Sequence, residues 1–215
     1  MTKPRVLLAD DHSLVLEGFK RILEDHCEVV GMVGDGRMLL NAAAQLKPAF
    51  VLLDISMPLL NGIDATRQLK SILPDVKVII VTMHADADYL SEAFKAGASG
   101  YLLKRSAGSE LTQAIDSVLR GHYYVTPVLT KHLVNSAIGN SATPEVTRQP
   151  ALTSRQREVL QLVAEGKTVK EIAQLLNISP KTVEFHKTQI MDQLDLRTTA
   201  ELTKYALTHG LTPPS

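Results

Sequence analysis

Four short apolar runs in the first half of the chain each end on a residue that could do chemistry. Val6-Leu7-Leu8-Ala9 runs into Asp10-Asp11, Phe50-Val51-Leu52-Leu53 into Asp54, Val78-Ile79-Ile80-Val81 into Thr82, and Tyr101-Leu102-Leu103 into Lys104. Three carboxylates brought to one place repel each other and invite a hard divalent cation. Mg²⁺ suits such a site, because it takes a few carboxylate oxygens and fills its remaining positions with water and phosphate oxygens. A phosphoryl group placed there would have the cation, the Lys104 ammonium and the Thr82 hydroxyl around its oxygens, which is the electrostatic clamp that phosphoryl transfer needs. Singly, each residue has a blander reading: an Asp after a strand is often a helix cap, and a Lys at a strand end is usually solvated. Five such residues at the ends of four separate runs outweigh it.

Elements must exist to gather them. Up to about residue 120, β-branched runs alternate with amphipathic stretches of helical length, the pattern of a parallel α/β sheet. Residues 5–10, 28–33, 50–54, 76–82 and 100–104 read as strands, and their unbroken apolar character implies burial on both faces. Residues 14–24, 38–46, 63–73, 86–96 and 109–119 read as the helices between them. In such a sheet the crevice at the carboxyl ends of the strands is where function collects, so Asp10, Asp11, Asp54, Thr82 and Lys104 should meet on one edge.

Residues 5–120 resemble a response-regulator receiver domain. The carrying residues are Asp10-Asp11, Asp54, Met57-Pro58, Gly62, Thr82, Tyr101 and Lys104. The resemblance implies a flavodoxin-like, doubly wound (βα)5 α/β fold in which Asp54 takes phosphate from a histidine kinase. It further implies that Asp11, Asp54 and the Ser56 carbonyl hold Mg²⁺ with support from Asp10. Lys104 would pair with the phosphoryl oxygens, and Thr82 and Tyr101 would relay the change by moving inward together. Two positions depart from the common receiver pattern: Arg105 stands where many receivers have Pro, and Met83 is bulkier than the usual small residue.

Residues 121–150 change character. Thr126–Ile138 could form a short helix, and the Gly, Ser, Thr and Pro residues that follow read as a linker. From Leu152 the signals are helical. Thr153/Gln156, Thr168/Glu171 and Thr198/Glu201 have capping-box spacing, and Ser179-Pro180 is an N-cap followed by Pro at the first helical position.

Residues 152–211 resemble the LuxR-type helix-turn-helix of the NarL/FixJ class of regulators. The match runs through Leu152-Thr153, Arg155, Arg157-Glu158-Val159-Leu160, Ala164, Gly166, Lys170-Glu171-Ile172-Ala173, Leu176, Ile178-Ser179, Thr182-Val183, His186, Ile190 and Leu194. It implies a separate all-α four-helix domain that reads double-stranded DNA. On the helix from Pro180, rotation of about 100° per residue puts Val183, His186, Ile190 and Leu194 on a core-facing stripe. Lys181, Phe185, Thr188 and Asp192 fall opposite, flanked by Glu184 and Gln189. That outer face is what a recognition helix presents to the major groove. Phe185 suits a thymine methyl, Glu184 a cytosine amino group and Thr188 either class of base edge. Thr168, Lys170, Ser179, Lys181, Thr182 and Lys187 are the candidate phosphate contacts, since helix N-terminal amides attract anions without a charged side chain. His186, with no His or Cys partner nearby, reads as a packed histidine and not as a metal ligand.

Three segments follow: residues 1–121 as receiver, 122–150 as linker with a short helix, and 151–215 as DNA reader. The chain as a whole has zero formal charge. Residues 151–215 hold 8 Lys and Arg against 7 Asp and Glu, so any DNA binding rests on motif geometry and not on a bulk basic patch. The one Cys cannot form an internal disulfide, which fits a reducing compartment. No run approaches the roughly 18 apolar residues of a membrane span, and acids interrupt the opening residues early. A cytoplasmic protein without membrane contact is expected. One small reader makes few contacts, so a homodimer after phosphorylation is expected to supply paired half-sites. An enzyme turning over external phosphoesters is the rival reading, but Asp54-Ile55-Ser56 lacks the second carboxylate that would serve as its general acid.

Overall fold

A computed structural model describes residues 3–130 and 152–212. Its N-terminal half alternates strand and helix: β1 (Arg5–Ala9), α1 (Ser13–Leu23), β2 (Glu28–Val33), α2 (Gly36–Leu46), β3 (Phe50–Leu53), α3 (Gly62–Ile72), β4 (Lys77–Thr82), α4 (Ala87–Lys95), β5 (Gly100–Leu103) and α5 (Ala107–Leu119). All pairings are parallel, in the order β2-β1-β3-β4-β5 with a short sixth strand beyond β5. The order reverses between β1 and β3, so the crevice opens where Asp10 and Asp54 leave the sheet.

The continuous apolar runs are buried on both faces. Val6, Leu8, Phe50, Leu52, Ile79 and Val81 pack with Phe19 of α1 and Leu111, Ile115 and Val118 of α5. Leu7, Ala9, Val51, Leu53, Val78 and Ile80 face the other way, against Leu39 of α2, Leu69 of α3 and Leu90 of α4. Each fully buried aliphatic side chain contributes about 1.5–3 kcal/mol, so the two layers fix the strand register that aligns the polar ends.

The sheet has one strand more than the periodicity predicts. β6 (Tyr124–Val125) pairs with Gly100 and Tyr101, and the Thr126 hydroxyl accepts a hydrogen bond from the Leu103 amide at 3.0 Å. The segment expected to open the linker therefore completes the sheet. A two-residue strand is too short for a period-2 pattern to show. Residues 127–130 are helical, and the rest of the helix expected at Thr126–Ile138 lies outside the described residues.

The C-terminal elements are α6 (Ser154–Ala164), α7 (Val169–Leu176), α8 (Pro180–Leu194) and α9 (Thr199–Thr208). All three expected capping boxes form, at Thr153, Thr168 and Thr198, and the Ser179 hydroxyl caps α8 with Pro180 at its first position. Each such cap is worth about 1 kcal/mol. Val159, Leu160, Leu162, Ile172, Val183, Ile190, Leu202 and Ala206 form a core of their own.

Candidate functional site

The strand ends bring the receiver candidates together. Asp10 and Asp54 are almost fully buried, and the Lys104 Nζ lies 2.9 Å from Asp54 Oδ2 and 2.7 Å from Asp10 Oδ2. Burial alone would lower the Lys104 pKa, but the two carboxylates overcome it and hold the ammonium above its ordinary value. The other Asp54 oxygen accepts from the Ile55 amide at 2.7 Å. Asp10, Asp11, His12 and Asp54 each offer a ligand atom within 4.8 Å of the others. His12, which sequence reasoning passed over, sits 2.8 Å from Asp11 and 3.1 Å from Asp10. This oxygen-rich donor set suits a hard divalent cation. Gly62 is required beside it, because a Cβ there would lie 2.0 Å from the Asp54 carbonyl oxygen.

The switch candidates converge on His84 in the β4–α4 loop. Thr82 is fully buried and its hydroxyl accepts from the His84 amide at 3.2 Å. Tyr101, also fully buried, donates to the His84 carbonyl at 3.0 Å, and burial pushes its phenol pKa up. The His84 ring lies 3.0 Å from the Ser56 hydroxyl and stacks on Tyr89 with ring centroids 4.3 Å apart. Met83 points largely into solvent, at 70% exposure.

On α8, Val183 and Ile190 are buried and His186 and Leu194 half-buried, as the helical stripe requires. Lys181, Glu184, Phe185 and Thr188 are exposed, with Phe185 58% open to solvent. Thr182 and Lys187 are half-buried, whereas Thr168, Lys170 and Ser179 are exposed at the starts of α7 and α8. The Thr168 and Ser179 hydroxyls are engaged in their own caps, so these residues offer backbone amides more readily than side chains.

A contact the sequence did not announce joins the two halves. The Gln161 carbonyl oxygen accepts from the Asn61 amide at 2.8 Å, and its amide nitrogen donates to the Met57 carbonyl at 2.9 Å. Glu165 accepts from the Leu59 amide at 3.0 Å. Arg157 reaches Asp64 at 2.9 Å, and Glu158 accepts from Arg37 at 3.2 Å and Gln68 at 2.9 Å. Leu59 has φ +65° and its side chain packs against the C-terminal core. The left-handed conformation costs a non-glycine residue about 1–2 kcal/mol, which these contacts offset. Glu158 and Gln161 of α6 and Glu165, its C-cap, lie at helical spacing, and a polar stripe looks the same in sequence whether solvated or docked.

Comparison with known proteins agrees with this architecture. The model of the response regulator receiver domain matches residues 6–116, and that of the luxR family of bacterial regulatory proteins matches residues 150–206. The transcriptional regulatory protein MctR of Rhizobium johnstonii is 38% identical over 97% of this chain and 95% of its own. The oxygen regulatory protein NreC of Staphylococcus epidermidis (strain RP62A) is 40% identical over 94% of this chain and 96% of its own. Among solved structures, the RcsB response regulator of Salmonella typhimurium aligns over 99% of this chain and all of its own, at 29% identity and a TM-score of 0.65. An RcsB–DNA complex aligns over 95% of this chain and 98% of its own, at 30% identity and a TM-score of 0.58. With a receiver sheet, a four-helix reader and relatives spanning nearly its full length, the chain belongs to the two-component response regulators that carry a LuxR-type DNA-binding domain, a family of transcription regulators and not of enzymes.

Proposed function

We propose that Asp54 is the phosphoacceptor of this regulator and that its phosphorylation governs how the LuxR-type domain engages DNA. The observation that carries the reading is the Lys104 ammonium held between Asp54 and Asp10 beside an acidic pocket. A carboxylate oxygen of Asp54 attacks the phosphorus of a phosphohistidine on a cognate kinase. The P–O bond forms as the P–N bond breaks, and the imidazole nitrogen leaves with the electron pair. Lys104 neutralises charge on the transferred oxygens. Mg²⁺, held by Asp11, Asp54 and the Ser56 carbonyl with Asp10 behind them, would neutralise more of that charge. Thr82 and Tyr101 couple the phosphoryl group to the receiver surface, and two phosphorylated copies pair so that two readers meet two half-sites.

In this division of labour residues 1–121 receive the signal, 122–150 connect and 151–215 read DNA. On α8, Glu184, Phe185 and Thr188 address base edges. Thr168, Lys170, Ser179, Lys181, Thr182 and Lys187 address phosphates. A cytoplasmic setting fits the single cysteine and DNA as target; among the described residues no helix is long and apolar enough to cross a membrane. The test is labelling of the full chain by acetyl phosphate with Mg²⁺ present. Asp54→Asn should abolish it, and labelling of that variant at the parental rate would reassign the acceptor.

A further inference from the structure

The polar contacts of α6 end on the loop that carries the phosphorylation chemistry. Asp54, Ile55 and Ser56 leave β3, and Met57, Leu59 and Asn61, among the residues that follow, are each held through a backbone atom by a side chain of α6 or of its C-cap, Glu165. Gln161 is fully buried while it does this, and its amide nitrogen also bonds Glu165 at 2.8 Å, so the two side chains grip the loop as one unit. The gripped segment includes Leu59 at φ +65°, a conformation that a leucine does not hold unaided. Gln161 takes the Met57 carbonyl, one peptide beyond the Ser56 carbonyl assigned to the cation.

The carboxylates of Asp10, Asp11 and Asp54 are already clustered in this docked arrangement. The outward side chains of α8 are also free in it, so the receiver does not shield the recognition face. Both observations point the same way: docking coexists with an assembled phosphorylation site and an open reader.

We propose that Gln161 and Glu165, residues of the DNA-binding domain, are positioning residues for cation binding and phosphorylation at Asp54, acting through the Met57–Asn61 segment. The inference rests on the phosphoacceptor reading above and adds the route by which the two domains sense each other. A loop held in place binds the cation without first being ordered, so docking strengthens cation binding. By reciprocity, a filled site strengthens docking by the same factor.

The test titrates the full-length chain calorimetrically with Mg²⁺ alone, without a phosphodonor. Gln161→Ala/Glu165→Ala should raise the dissociation constant about fivefold while changing the labelling rate at saturating Mg²⁺ by less than about twofold. Glu165→Gln should bind Mg²⁺ at least as tightly as the parent, because its amide oxygen can still accept from Leu59 and it has no charge to desolvate on docking. Amide exchange of Leu59 and Asn61 in the metal-free chain should be slow in the parent and fast in the double variant.

Removing one buried and one half-buried polar side chain could unfold the small domain, so Arg37→Ala/Gln68→Ala supplies a second arm. Those side chains lie on the receiver, touch Glu158 and leave both α6 and the loop intact. They should shift the constant in the same direction by a smaller factor. An unchanged or tighter Mg²⁺ constant in both pairs overturns the proposal, as does retained protection of Leu59 and Asn61 in the α6 variant. A parent that binds Mg²⁺ with the linkage described yet is never labelled at Asp54 would instead remove the phosphoacceptor reading and leave the positioning role standing.

Discussion

Thr82 shows how much one side chain is asked to do. It is fully buried at the end of β4, where its hydroxyl accepts from the His84 amide, and Tyr101 donates to the carbonyl of the same residue. A phosphoryl group on Asp54 offers the Thr82 hydroxyl a charged acceptor, and charge-assisted bonds are roughly twice as strong as neutral ones. In the relay proposed above, the hydroxyl would turn toward it, release the His84 amide and disturb the His84–Tyr89 stack. Thr82→Ala should therefore keep labelling within about threefold of the parent while losing most of the phosphate-driven gain in self-association, an order-of-magnitude expectation for removing one hydrogen bond to a charged group. Sedimentation of phosphorylated parent and variant checks it; equal dimerisation would remove Thr82 from the relay. The residues that carry this chemistry were legible because strand ends are few and each bore a distinctive type. His84 and His12 were not, because each lies just outside an element, where neither helical nor strand periodicity singles a residue out. Leu59 was hidden for another reason: nothing in Pro58-Leu59-Leu60-Asn61 states that a leucine will take a left-handed backbone.

At the scale of elements, α6 does two jobs with one helix. Val159, Leu160, Leu162 and Val163 build the reader's core, while Glu158, Gln161 and Glu165 meet the receiver. Burial against the receiver raises the Glu165 pKa, and bonds from Gln161 and the Leu59 amide only partly offset it. The docked state thus holds the Glu165 proton more tightly than the undocked state. The stabilisation of docking is fully present below the ordinary carboxylate pKa and is lost as pH rises through the raised value. Acidification from neutral pH should slow amide exchange at Leu59, once corrected for the intrinsic rate. Glu165→Gln, which cannot ionise, should show stronger docking than the parent at neutral pH and equal docking at about pH 4, in the ordinary carboxylate range. A parent with no pH dependence beyond that of Glu165→Gln would exclude Glu165 as its source. Element types were readable here because period and caps agreed: Thr153, Thr168, Ser179 and Thr198 all begin helices. β6 was not readable, since its two residues borrow their geometry from Gly100 and Tyr101 of β5.

For the whole molecule the question is how a reader with so little positive charge holds DNA. Residues 151–215 carry only one more Lys or Arg than Asp or Glu, and on α8 Lys181 and Lys187 face Glu184 and Asp192. Docking leaves Lys181, Glu184, Phe185 and Thr188 exposed, so access to the recognition face is not what phosphorylation has to supply. Pairing of readers is the contribution proposed for it. Each neutralised phosphate contributes about −0.9 to the slope of log affinity against log salt, so a single reader should bind weakly with a shallow slope. Helix N-terminal amides at Thr168 and Ser179 add attraction that the count of charged side chains does not include. Two readers on one site double the set of phosphate contacts, and the phosphorylated chain should show about twice the slope and a much higher affinity. Lys181→Ala and Lys187→Ala should weaken all sequences alike and flatten the slope by about one unit each, whereas Glu184→Ala or Phe185→Ala should change which sequences are preferred. A salt titration of the unphosphorylated and phosphorylated full chain on one operator decides the matter. If the two share affinity and slope, paired readers are not what the phosphoryl group provides, and the free recognition face of the docked chain would have to be under some other control.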